Sequence, residues 1–298
     1  MKVYDMFSGI GGFSLAFQQE GYEVTAQAEI DKYPSLVLKK NFPNIPNYGD
    51  VTKINYQEGQ FDVIVGGTPC TDISIASKTK KGIYGERSIL WKEFFRAIKE
   101  AKPKYCVVEN VQMLVRRGLN TILADLAEIG YDATYTTIDA QFCGTPQRRR
   151  RVYILGVRDG IPADTDIFQF KKRDTDECRQ QIQSLQKSFN WYFKKENEGE
   201  KTFAYFTRQR SDEFAGCGVS STLMKRDYKD FTDLVLIDGK VRRVTPTERL
   251  RLMGFPDNWH LDDASESDKY KYCGMHVNSV RYVARCLKEY DSCLHLKK

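Results

Sequence analysis

In FDVIVGGTPCTDISIAS, residues 61–77, an apolar run stops at Gly66-Gly67-Thr68-Pro69 and the next residue is Cys70. A cysteine inside a buried strand is filler; one set just after two glycines and a proline is presented for use. The reactive form is the thiolate, and free cysteine titrates near about 8.5. A loop at a strand's carboxyl end can lower that value by turning backbone amides and arginines toward the sulfur. Two further stretches supply partners. KYCVVEN (104–110) ends in Glu109-Asn110, and GTPQRRRRVY (144–153) carries Arg149 and Arg151. A nucleophile, a carboxyl group and guanidinium donors meeting at one rim suit attack on a polar heterocycle.

A second group could hold a nucleotide-like ligand. In DMFSGIGGF (5–13) a strand runs into Gly9, Gly11 and Gly12 and then a helix, a turn in which glycines let a ligand approach the backbone closely. The spacing is not G-x-G-x-x-G, which disfavours NAD. Glu29, at the end of the next strand, is placed to take ribose hydroxyls. Asp50, in GDVTKI, is expected after a third strand, where it would receive an adenine amino group.

These residues need a scaffold that brings strand ends together. KVYDMF (2–7), YEVTAQAE (22–29), FDVIVGG (61–67), KYCVVEN, YDATYTTIDA (131–140) and RVYILGV (151–157) read as strands. Two of them, 61–67 and 104–110, are apolar without alternation, as strands buried on both faces are. Helical spacing fills 12–20, 33–41, 87–102 and 121–131 between them. Such βαβ alternation predicts an α/β fold, a doubly wound and mostly parallel sheet with ligands at the carboxyl ends of its strands. After Arg158 the periodicity dissolves into polar, turn-rich sequence. Three parts follow: a catalytic and cofactor-binding domain over 1–158, a small irregular domain over 159–240, and a segment over 241–298 that returns to the first. In VTPTERLRLMGFPD, Thr245, Pro246 and Glu248 make a capping box, and Gly254 is the stop. A last helix is expected over roughly 276–291.

Composition excludes several classes. The 298 residues are 41% apolar and 29% charged, and no stretch approaches the ~20 consecutive apolar residues of a membrane span. MKVYDMFSGIGG lacks the basic and apolar regions of a secretory signal, so a cytoplasmic protein with no membrane partner is expected. Eight cysteines contain no C-x-x-C pair and only three histidines accompany them, which argues against zinc and for reduced thiols, most of them core residues. A net charge of +6 is a moderate basic excess, densest at Arg148–Arg151 and from Arg242 to Arg251. Residues 159–240 hold 14 Lys and Arg against 15 Asp and Glu, so the excess lies elsewhere.

GGTPCTDIS, VVENV and GTPQRRRRVY, in that order behind DMFSGIGGF and ahead of RVTPTERLRLMGFPD, resemble the ordered motifs of the cytosine-5 DNA methyltransferases of bacterial and phage restriction-modification systems. Together the motifs span nearly the whole chain and leave 159–240 unmatched. The resemblance implies S-adenosyl-L-methionine as cofactor, double-stranded DNA as substrate, and a target recognition domain in 159–240. It implies Cys70 as the nucleophile at ring carbon 6 of a flipped-out cytosine, Glu109 at ring nitrogen 3, Arg151 at the exocyclic oxygen, and Arg149 supporting the site or a phosphate. It assigns Phe7, Gly9, Gly11, Gly12, Glu29, Ile30, Asp50, Val51, Gly67, Pro69 and Leu90 to the cofactor pocket. Phosphate contacts are expected from the catalytic domain and its flanking arginines, and base contacts from candidates such as Arg208, Arg210, Lys225 and Arg226. A monomer with a cognate restriction endonuclease encoded nearby is the expected setting.

One departure concerns the cofactor. The family's last block usually begins Gly-Asn; in GMHVNSV (274–280) Met275 stands at that asparagine's place, and Asn278 is the candidate to take over its contact. Three rival readings are weaker. The tRNA-methylating branch usually carries Cys-Phe-Thr, and the nearest element is Tyr205-Phe206-Thr207. An inactive DNA-binding relative would be expected to lack Cys70 or Glu109, and both are present. A nucleotide-dependent oxidoreductase explains the first glycine turn and nothing after it.

Overall fold

The computed structural model describes residues 1–68, 89–158, 160, 167–168, 203–206, 220, 222–223, 233–237, 240–261, 265–272 and 275–296. Two compact units emerge: residues 1–138, 150–169 and 280–298 form one, and residues 139–149 and 170–279 the other.

In the first unit, the β-branched and aromatic runs fill both faces of one sheet. Its strands are β1 (Lys2–Met6), β2 (Glu23–Ala28), β3 (Val63–Gly67), β4 (Tyr105–Val111), β5 (Tyr131–Asp139) and β6 (Arg150–Arg158), in the order β2-β1-β3-β4-β6-β5. The pairs β1–β2, β1–β3 and β3–β4 are parallel, and β6 runs antiparallel to β4. The expected α/β architecture is present. Strand direction cannot be read from apolar runs, so the reversed β6 is a finding of the structure.

Helices α1 (Gly12–Gln19), α2 (Lys32–Asn41), α3 (Ile89–Ala101), α4 (Leu114–Arg117) and α5 (Leu119–Glu128) supply the crossovers. Met6, Ile64, Phe94, Ile98, Val108 and Ile154 meet in one core cluster, each fully buried. Gly66 exists because β1 passes too close for a side chain: a Cβ there would lie 2.4 Å from the Met6 carbonyl oxygen and 3.0 Å from the Phe94 ring. The thiol of Cys106, at the same depth, is pushed by burial to about 12, so it packs and does not react.

In the second unit, α6 (Pro246–Leu252) starts with the predicted capping box: the Thr245 hydroxyl accepts from the Glu248 N–H, and the Glu248 carboxylate accepts from the Thr245 N–H. Gly254 follows at φ +84°, as a stop requires. Two features of this unit have no counterpart in the sequence reading, as the short α4 has none in the first. A three-stranded antiparallel sheet of β7 (Phe203–Phe206), β8 (Asp233–Ile237) and β9 (Lys240–Arg243) draws two of its strands from the polar stretch. The short α7 (Glu266–Lys271) precedes the last helix, α8 (Val277–Leu296).

Within the first unit, α8 is tied down by Glu20, which accepts from Arg281 and Arg285, and by Tyr22, whose hydroxyl donates to the Ala284 carbonyl at 2.9 Å. Asp291, farther along, pairs with Lys104 and accepts from the Tyr105 hydroxyl. Among the described residues no helix is long and apolar enough to cross a membrane.

Candidate active site

The carboxyl ends of β3 and β4 make the first part of the site. Gly67 stands opposite Glu109 in the parallel register, so the chain leaves β3 directly beside that carboxyl group. The exit is fixed by the next residue: the Asn110 amide donates to the Thr68 hydroxyl at 2.9 Å and to its carbonyl at 3.3 Å. Both residues are buried. Pro69 and Cys70, next along the chain, lie outside the described residues.

Glu109 is only 5% exposed. On β6 it faces Tyr153, and Arg151, two residues before Tyr153, occupies the diagonal position on the same face. That register explains the ion pair of Arg151 Nε with Glu109 Oε1 at 3.0 Å. One guanidinium nitrogen of Arg151 donates to the Arg150 carbonyl, which leaves the side chain oriented along the strand end. The antiparallel β6 therefore does chemical work: it returns the arginine to the rim where β4 delivers the carboxyl.

The glycine turn after β1 makes the second part. Phe7, Gly9 and Gly11 all have positive φ, of 57°, 54° and 89°. Phe7 is the costly member, because a side chain rarely adopts this region. Its ring stacks on Phe94, with centroids 6.5 Å apart. At Gly11 a Cβ would lie 2.4 Å from the Phe42 ring, so the turn and α2 touch backbone to side chain. Gly12 opens α1. Ser8 fastens the turn to β2, its N–H donating to the Ala28 carbonyl at 3.0 Å and its hydroxyl accepting from the Ala28 N–H at 3.1 Å.

Glu29 follows at the strand's end. Its carboxylate accepts from the Gly9 N–H at 2.9 Å and from the Asp31 N–H at 2.7 Å, while burial raises its titration above the usual carboxylate range. Ile30 beside it is 69% exposed, an apolar side chain with open space over it. Asp50 caps a short 3-10 turn over Val51–Lys53, and its bonds from the Thr52 hydroxyl and N–H hold its carboxyl below the usual range. The expectation of a strand just before Asp50 is corrected: β3 begins at Val63, and an isolated bridge between Gln27 and Asn47 takes that place. Val51 is buried beneath the turn, and Leu90 is half-buried in the first turn of α3. A half-buried carboxylate on the glycine turn, an exposed apolar side chain and a second acid at a neighbouring loop fit a nucleoside-bearing cofactor.

Beneath this turn lies a cluster that the sequence reading missed. Asp5 is fully buried and accepts from the Ser14 N–H at 3.0 Å and hydroxyl at 2.7 Å, and the Gln27 amide donates to the same hydroxyl at 2.8 Å. Burial pushes the Asp5 carboxyl to about 7. The only sequence signal was an acid inside an apolar strand.

Arg149 and Asn278 belong to the second unit. Arg149 is buried; its N–H donates to Asp139 Oδ1 at 3.0 Å and its carbonyl accepts from the Ala140 N–H at 3.0 Å. Asn278 packs against two glycine turns: a Cβ on Gly254 would lie 2.9 Å from its Oδ1, and one on Gly144 3.7 Å from its Nδ2. Met275 is half-buried nearby in sequence. In the basic stretch from Arg242 to Arg251 several guanidiniums have partners within the unit. Arg242 makes two bonds to the Glu248 carboxylate and Arg251 two to Asp257, and Arg249 is 3% exposed over the Tyr270 ring. These guanidiniums hold the unit together. Arg208, Arg210, Lys225 and Arg226 lie outside the described residues.

Known proteins resemble this chain over most of its length. The family model for C-5 cytosine-specific DNA methylase matches residues 1–289. The chain is 33% identical over 301 aligned positions to Type II methyltransferase M1.ScrFI of Lactococcus lactis subsp. cremoris, covering 94% of this chain and 74% of that protein. It is 28% identical to Type II methyltransferase M.HhaI of Haemophilus parahaemolyticus, covering 95% and 93% of the two. Among solved structures, S. pombe Dnmt2 methyltransferase superposes with a TM-score of 0.72 at 17% identity, over 97% of this chain and 99% of that one, a likeness of fold.

Proposed function

Because the chain belongs to the C-5 cytosine-specific DNA methylase family, we propose that it methylates carbon 5 of a flipped-out cytosine in double-stranded DNA through a covalent adduct on Cys70. The observation that carries this reading is the Glu109–Arg151 pair at the end of β4, with Gly67 in register beside it and Thr68 pinned one residue before the Pro69-Cys70 step. Cytosine carbon 5 is too poor a nucleophile to take a methyl group directly. Addition of the Cys70 thiolate to carbon 6 makes carbon 5 enamine-like. Glu109 holds or protonates ring nitrogen 3 as the charge develops. Arg151 orients that carboxyl through Nε and donates to the exocyclic oxygen. Loss of the carbon 5 proton, after methylation, expels the thiolate and restores the ring. The base must leave the stack for any of this, at a cost of about a few kcal/mol.

S-adenosyl-L-methionine, when bound, supplies the electrophilic methyl group. The residues that would hold it are Gly9, Gly11 and Gly12 of the turn, Glu29 at the ribose hydroxyls, Ile30 and Phe7 as apolar contacts, and Asp50 at the adenine amino group. Gly67, Pro69, Val51, Leu90 and Asn278 complete the set in this reading. Residues 159–240 serve target recognition, with 1–158 and 241–298 as the catalytic parts. The setting is a cytoplasmic monomer with a cognate restriction endonuclease encoded nearby. The test is a strand-resolved map of 5-methylcytosine in cells without other cytosine methylation, expressing either the native chain or Cys70→Ala. A sharp sequence motif present only with the native chain supports the proposal; an unmethylated genome with soluble native protein, or equal methylation by both chains, overturns it.

A further inference from the structure

The loop that carries Arg149 is held from one side by Ser220 and by Thr222, whose hydroxyl donates to the Arg148 carbonyl. Within the second unit, the Ser220 N–H donates to the Pro146 carbonyl at 2.7 Å and the Arg148 N–H to the Ser220 carbonyl at 2.8 Å. Another contact comes from the buried side chain of His276, which is 1% exposed and stands immediately before α8.

The bonds around that imidazole determine its state. The Ser279 backbone N–H points at Nδ1 from 3.1 Å and must donate, so Nδ1 is an acceptor. The ring proton of the neutral form is then on Nε2, where it donates to the Thr145 hydroxyl at 2.6 Å. The Thr145 hydroxyl donates a hydrogen bond to the Ala140 carbonyl at 3.3 Å. Ala140 in turn donates its N–H to the Arg149 carbonyl. The Ser279 hydroxyl, 2.8 Å from Nδ1, closes the network. His276 therefore does two jobs with two nitrogens. Nδ1 caps the third residue of α8, as an N-cap side chain does. Nε2 reaches across to the loop between Ala140 and Arg149.

We infer that His276, acting through Thr145, is a positioning residue for Arg149: it locks the Thr145–Arg149 loop onto the start of α8 so that the arginine is held ready before substrate arrives. This rests on the reading of Arg149 as a site residue. It also changes what the Met-His-Val-Asn segment is for. Asn278 fills the space between two glycine turns, and the residue that ties this block to the arginine loop is the histidine.

Two variants separate the two jobs. His276→Asn keeps a cap acceptor for Ser279 but is too short for Thr145, and Thr145→Val removes the hydroxyl while keeping the shape. Expected for each is a loss of about tenfold in turnover on target DNA, with cofactor affinity unchanged and the double variant no worse than either single one. Hydrogen exchange of the peptide covering 140–149 should quicken by about tenfold in both variants, while β1 and β4 keep their protection. The idea is overturned if exchange in 140–149 is unchanged, or if the two losses add and follow the melting temperature. Exchange is read on the protein alone, so it decides the matter even if the native chain transfers no methyl group; that second result would count against the proposed function instead.

Discussion

Asp5→Asn is the substitution whose consequence can be worked furthest. The native carboxyl is fully buried and holds its proton up to about pH 7, whereas in the unfolded chain it releases it near 3.8. Desolvation is the main cause, and the two bonds from Ser14 offset only part of it. Between these values the native state binds the extra proton, so its stability relative to the unfolded chain falls as pH rises. The contribution is fully present below about 3.8 and is lost by the time pH passes about 7. At roughly 1.4 kcal/mol for each unit, the total swing is about 4 kcal/mol. Asparagine keeps an acceptor for Ser14 and has no proton to lose. Chemical denaturation of both chains from about pH 4 to about pH 8 should therefore show the variant gaining on the native protein by about 4 kcal/mol, with equal denaturant slopes. A difference that stays flat with pH, or one that moves in favour of the native chain, refutes a buried, proton-holding Asp5.

Three other substitutions test separate parts of the account. Gly66→Ala forces a methyl group to within 2.4 Å of the Met6 carbonyl and should destabilise the protein by about 1–3 kcal/mol in thermal unfolding; wild-type stability would mean that β1 and β3 can spread. Glu29→Gln removes the charge that accepts from Gly9 and Asp31, and titration calorimetry should show S-adenosyl-L-methionine binding weaker by about tenfold; unchanged affinity would take Glu29 out of the pocket. Glu109→Gln should lower the rate of methyl transfer by about a hundredfold or more with the fold intact, and a near-native rate would leave nitrogen 3 without its proposed partner.

Much of the fold was legible because burial leaves a mark on composition. The runs at 61–67 and 104–110 lack alternation because both faces of β3 and β4 are covered, and the capping box at Thr245 is a local pattern with a local cause. The Glu109–Arg151 pairing was expected only as a convergence of strand ends. Its diagonal geometry depends on β6 running backwards, and direction leaves no trace in a stretch such as RVYILGV. For the arginines of 242–251, charge count shows density and not commitment; only the structure shows that Glu248 and Asp257 hold two of them. His276 leaves no clear mark in the sequence, because one histidine beside one cysteine, Cys273, is too little for a metal site. Only the burial of its ring between Thr145 and Ser279 shows its use.

The most direct test of the central claim is to trap the adduct. Placing 5-fluorocytosine at the target found by the methylation map replaces the proton that must leave carbon 5, so a methylated adduct cannot resolve. Incubation with the native chain and S-adenosyl-L-methionine, followed by proteolysis and mass spectrometry, should find the nucleotide attached to the peptide containing Cys70. Attachment to another cysteine, or no adduct from protein that methylates ordinary DNA, would contradict the account.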